Sequence, residues 1–188
     1  MWTAIYYFKP LYWLLLSTKA TKTILFRGFG YKGPIEMVTY PDTWIRDLPL
    51  LHLGKGAYLA NKATIGTNMC LSDGTILVDK ISIGENSVIG HLCMLAPGVQ
   101  IGSNSETGSG CAIGIGVILG NQVRIGPMAL INHGARITDG VKVGASCYIG
   151  SKVQINVKGL SIPGSTNIPD NSVINSESDL HSFIQKRA

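Results

Sequence analysis

Apolar positions recur every sixth residue along most of this chain. The first positions run Leu53, Leu59, Ile65, Leu71, Leu77, Ile83, Ile89, Leu95, Ile101, Thr107, Ile113, Leu119, Ile125, Ile131, Ile137, Val143, Ile149 and Ile155. Of these eighteen, only Thr107 is not aliphatic. The second position favours Gly, as in Ile83-Gly84 and Ile125-Gly126. The fourth favours Gly or Asn, as at Asn86, Gly98 and Gly140, and the fifth is small or β-branched, as at Ala63, Val99, Val117 and Ala135.

A period of six matches neither the 3.6 of an amphipathic helix nor the 2 of an alternating strand. It suits short strands joined by tight corners. Gly and Asn at the fourth position tolerate the positive φ that a corner needs. The first and fifth positions then share one interior. Three hexads close a triangular coil of 18 residues, so eighteen hexads predict six coils. Parallel strands stack about 4.8 Å apart, giving a prism roughly 29 Å long. Ser161 slips the register once, and Ile162, Ile168 and Ile174 continue it as a partial last coil.

The run ISIGENSVIGHLCMLAPGVQIGSNSETGSGCAIGIG resembles the hexapeptide-repeat acyltransferases. That resemblance covers residues 53–175. It implies an all-β fold, the left-handed parallel β-helix, assembled as a homotrimer with active sites between subunits. It implies transfer of an acyl group, acetyl by default, from acetyl-CoA or another acyl-CoA. The acceptor is a hydroxyl or amine on a small molecule, and a sugar or sugar nucleotide is the expected class. A histidine serves as general base. No metal is implied. The γ-class carbonic anhydrases share the β-helix but need three histidines at a spacing this chain lacks. Non-catalytic assembly modules also use the repeat and stand as the alternative reading.

Stacking residues 18 apart places candidates in columns. His133 lies in Ile131-Asn132-His133-Gly134-Ala135, which resembles the Ile-Asp-His-Gly-Thr segment around the catalytic histidine of serine acetyltransferases. Asn132 stands where that family has Asp. An amide can orient an imidazole but cannot stabilise its charged form as a carboxylate would. His91, in Ile89-Gly90-His91-Leu92-Cys93, is the rival. Eighteen-residue stacking puts Asp73 one coil from it, near enough to polarise the ring. The two histidines fall about 2.3 coils apart, roughly 11 Å along the axis, so one subunit cannot join them as a dyad. Cys93, Cys111 and Cys147 share an inward column and read as small core residues.

Charge is uneven in this chain of net charge +5. Arg124, Arg136, Lys142, Lys152 and Lys158 face one acid, Asp139, over residues 121–160. They are candidates for the phosphates of coenzyme A. Residues 1–35 carry Lys9, Lys19, Lys22, Arg27 and Lys32 and no acid. Trp2, Tyr6, Tyr7, Phe8, Tyr12 and Trp13 lie among them, which suits peripheral contact with an anionic membrane surface through residues 1–26. No nucleic-acid motif accompanies the charge, and none is expected to bind. No apolar run of 18 uncharged residues appears, so a spanning helix is not expected. Cytoplasm is the expected location, with the inner face of the membrane as the site of any peripheral contact. The expected organisation is a helical segment and lead-in cap over 1–52, with a helix break at Pro10. The β-helix follows over 53–175, then a terminal helix over 176–188.

Overall fold

The computed structural model describes residues 2–184. Its body is a left-handed parallel β-helix with three flat faces. Each face is a parallel sheet of seven short strands, so the solenoid has seven coils. The first face runs from Val38–Thr39 to Ser161–Ile162, the second from Trp44–Ile45 to Asn167–Ile168, and the third from Leu51–Leu53 to Val173–Ile174.

The hexad explains the local geometry position by position. First-position residues such as Leu59, Ile65, Ile89 and Ile113 are buried, as are fifth-position residues such as Ala63, Cys93, Val117 and Val153. Together they fill the prism. Fourth-position residues carry positive φ at corner after corner: Gly56, Asn86, Gly98, Asn104, Gly110 and Gly140 among them. The second-position glycines answer a different need. A Cβ on Gly126 would stand 2.5 Å from the Ala145 backbone nitrogen, so these glycines let one coil lie against the next.

The make-up of the coils differs from the expectation in two places. The first coil is drawn from residues 38–53, inside the segment read as lead-in: Val38 pairs Tyr58 and Trp44 pairs Thr64. Residues 68–79, which take up most of the hexads that begin at Leu71 and Leu77, belong to no coil. They form an antiparallel hairpin, Asn68–Cys70 against Ile76–Val78, that leaves the corner between the second and third faces. Across it the pairing steps by 30 residues, as in Leu53 with Ile83 and Thr64 with Met94. The excess over 18 is twelve, or two hexads, so the period resumes in phase. The Ser161 slip is real: Lys142 pairs Ser161, a step of 19.

Both ends are capped, as solenoids require. Helices α1 (Trp2–Tyr7), α2 (Lys9–Leu16) and α3 (Lys19–Gly28) cover the first coil. Trp2 Nε1 donates to the Ile45 carbonyl at 2.8 Å, and Tyr6 packs edge-on against Trp44. Pro10 does not break a helix here. It sits in the first turn of α2, where no N–H is needed, and the break falls at Phe8. At the other end α4 (Glu177–Ile184) buries Leu180. Ser176 Oγ accepts from the Asp179 N–H while the Asp179 carboxylate accepts from the Asn175 and Ser176 N–H groups. The remainder of the expected terminal segment, from 185, lies outside the described residues.

Candidate functional site

The outward residues of the three faces differ in kind. The second face presents Trp44, Met94, Leu130 and Tyr148, while the first presents Glu106, Arg124 and Lys142. The apolar second face holds a cleft of about 350 Å³. Met69 on the hairpin, Met94, Leu130, Arg46, Asn132 and His133 are among its walls. The hairpin is pinned at its base, because Thr67 Oγ1 and Asn68 Nδ2 both donate to Asp47 Oδ2 at 2.7 Å.

The two histidines stand at opposite edges of this face. His133 follows Leu130–Ile131 at the corner toward the third face, and His91 follows Val88–Ile89 at the corner toward the second. They are two coils apart. Their surroundings are not alike.

His133 Nδ1 accepts a hydrogen bond from the Ile115 backbone N–H at 2.9 Å. The same contact recurs at other corners. Asn121 Oδ1 accepts from the Ser103 N–H, Asp139 Oδ1 from the Asn121 N–H, and Asp170 Oδ1 from the Ser151 N–H. Third-position side chains thus cap the corner N–H one coil below, and His133 follows that pattern. An imidazole that accepts at Nδ1 carries its neutral-state proton on Nε2. In this arrangement His133 presents a donor to the cleft, whereas a general base needs a bare nitrogen.

His91 is exposed, and its ring makes no hydrogen bond among the described residues. Three irregularities meet at its corner. Thr107, the one break in the aliphatic column, pairs with Ile89 and turns its Oγ1 to accept the Gly90 N–H at 3.1 Å. Leu92 holds a left-handed φ of 58°, which costs a bulky side chain roughly 1–2 kcal/mol. Asn61 Oδ1 is buried without a partner. Its residue lies one coil below, where the Asn61 carbonyl accepts the Leu92 N–H. The backbone N–H groups of His91 and Ser109 donate to nothing among the described residues, in contrast to the capped corners.

Asp73 is not near His91. It occupies the hairpin tip, where Oδ1 accepts the Thr75 N–H at 2.8 Å, and that bond holds its carboxyl below the usual range. The 18-residue stacking failed here because the hairpin intervenes, and Asn61 takes the place assigned to Asp73.

The five cations do not gather on one surface. Arg124 and Lys142 are paired neighbours on the first face. Arg136 is on the third face, paired with Ile118. Lys152 stands at the corner above His133, whose carbonyl accepts its N–H. Lys158 pairs with Asp139 at 3.4 Å. The cysteines follow the expected column: Cys93, Cys111 and Cys147 are buried and Cys70 is exposed on the hairpin. Burial raises the Cys147 thiol, and a hydrogen bond with Cys93, then burial, raises that of Cys111. No three His, Cys, Asp or Glu side chains cluster as a metal site among the described residues.

This architecture is a three-faced parallel β-helix built on a six-residue repeat. The family model described as "Bacterial transferase hexapeptide (six repeats)" matches residues 80–115, a stretch that contains His91. No curated protein matches the chain. Among solved structures, a GDP-perosamine N-acetyl transferase from Caulobacter crescentus, in complex with CoA and GDP-perosamine, is 22% identical, with a TM-score of 0.46. The match covers 80% of this chain and 59% of that one, so the chain spans about three fifths of its length. A UDP-N-acetylglucosamine acyltransferase from Campylobacter jejuni is 17% identical, over 76% of this chain and 66% of that one, with a TM-score of 0.34. A UDP-N-acetylglucosamine O-acyltransferase from Moraxella catarrhalis is 18% identical, over 68% and 66%, with a TM-score of 0.27.

Proposed function

We propose that the chain is an acyltransferase that moves an acetyl group from acetyl-CoA to the hydroxyl or amine of a sugar or sugar nucleotide, with His91 as general base. The observation that carries this reading is the contrast between the histidines. The His91 ring is exposed and unengaged, whereas His133 Nδ1 caps the corner of Ile115. A bare His91 nitrogen takes the proton as the acceptor oxygen or nitrogen attacks the thioester carbonyl. The new bond places negative charge on the carbonyl oxygen. The uncapped N–H groups of His91 and Ser109 are suited to hold it. Collapse of the adduct expels the thiolate of coenzyme A, which takes up a proton. His133 lines the apolar cleft with Asn132 and serves to position a ligand there through Nε2–H. Arg136 and Lys152 flank that corner and offer charge to phosphates, with Arg124, Lys142 and Lys158 as a second group. A homotrimer would set the second face against a neighbouring subunit and complete the site.

The test measures thiol release from acetyl-CoA with a panel of amino- and hydroxy-sugar nucleotides. His91→Ala should lower turnover at least a hundredfold with acetyl-CoA binding retained. His133→Asn keeps an acceptor for the Ile115 N–H, as Asn121 does at its corner, and should retain most of kcat. Full activity in His91→Ala would overturn the assignment of the base. Neither binding nor turnover in the wild type would favour the non-catalytic assembly module.

A further inference from the structure

Helix α2 is apolar on the side turned away from the protein. Its inward face buries Tyr12 fully and half-buries Leu15 and Leu16 against the core. Its outward face is Pro10, Leu11, Trp13 and Leu14, with Trp13 55% and Leu14 65% exposed. Tyr7 and Phe8, just before the helix, are 68% and 61% exposed, and Ile24 on α3 is 71% exposed. The one cation of α2, Lys9, does not relieve this face. Its Nζ lies 3.5 Å from the Tyr6 ring centroid and donates to the Pro41 carbonyl at 3.2 Å. Helix α2 therefore has two apolar sides, and only one of them is covered.

The occupant is indicated by charge. Residues 1–42 hold five cations, Lys9, Lys19, Lys22, Arg27 and Lys32, against Glu36 and Asp42. Glu36 is taken up by Lys19 at 2.6 Å. An exposed face of aromatic and aliphatic side chains, carried by a segment with five cations and two acids, matches an anionic lipid headgroup layer. A second copy of the same end would bring like charge against like charge. Among the described residues no helix is long and apolar enough to cross a membrane. We infer that the N-terminal cap docks end-on onto an anionic membrane surface, with Tyr7, Phe8, Leu11, Trp13 and Leu14 seated at the headgroup boundary. The β-helix then stands away from the bilayer with its cleft in water. This inference does not depend on the enzymatic reading.

Truncating residues 1–26 is a poor test, because Trp2, Tyr12 and Phe26 belong to the core. Substitution on the outward face is better. The full chain is sedimented with vesicles of equal phosphatidylglycerol and phosphatidylcholine, and with phosphatidylcholine alone. The wild type should bind the anionic vesicles at least tenfold more tightly, and the preference should shrink from 50 to 500 mM salt. The double variant Trp13→Ser, Leu14→Ser should lose at least tenfold in binding, with its circular dichroism and thermal midpoint unchanged. Absence of wild-type binding, or equal binding by the variant, would overturn the inference. So would a change of solution mass in the variant by light scattering without any vesicle binding, because the face would then be a contact between copies.

Discussion

Leu92 shows how much a single hexad position can carry. It is 59% exposed and held at positive φ beside His91, where Gly or Asn would rest more easily. Leu92→Gly should raise the stability of the fold by about 1 kcal/mol, read as a higher midpoint in urea unfolding. A midpoint unchanged or lowered would show that the Leu side chain is held by contacts that outweigh the backbone cost. At this scale the sequence was informative about φ, because corners recur at a fixed position. It was less informative about His133 and His91. Both fit the same short pattern, and only the Ile115 N–H separates their chemistry. Thr107 was the available signal, because it alone departs from the aliphatic column and it falls at the His91 corner.

The hairpin over 68–78 is the element that periodicity concealed. Leu71 and Leu77 are aliphatic at the correct phase, and the twelve-residue excursion leaves the later phase intact. Two signs were present. Ser72 and Val78 occupy second positions without Gly, and Asp73-Gly74 is a strong hairpin-turn pair. The element contributes little to the prism, since Ile76 and Val78 are 67% and 54% exposed. Deleting residues 68–79 leaves Ile65 six residues from Ile83, the normal coil step. The shortened chain should fold, with a thermal midpoint within a few degrees of the wild type. It should lose at least tenfold in activity with the cleft wall that Met69 supplies. Collapse of the fold would show instead that the hairpin, pinned to Asp47 through Asn68, secures the second coil.

Across the whole molecule, carboxylates cap backbone N–H groups at corners and at α4. The Asn121 N–H, then Lys158, hold Asp139 below its usual range, and backbone N–H groups do the same for Asp73 and Asp179. A carboxylate depressed in the folded state adds stability that is whole above its unfolded pKa, near about 3.9. That stability is lost as the pH falls through the folded value. The thermal midpoint should therefore hold from neutral pH to about 5 and fall on further acidification. Asp139→Asn keeps an acceptor for the Asn121 N–H and should show a smaller fall on the acid side. An identical fall in both proteins would remove Asp139 from the acid dependence.

The sequence by itself determined the prism: its period, its inward columns, its corners and the slip at Ser161. These features are local, because each hexad repeats one backbone conformation and strand stacking follows from the repeat. The tertiary structure decided what lies beside what across the interruptions. It moved Asp73 to a hairpin tip, put Asn61 beneath His91, and spread the cations over separate faces. It also turned one side of α2 outward. Side-chain neighbours depend on how many residues each coil contains, and an insertion of two whole hexads changes that number without disturbing the pattern.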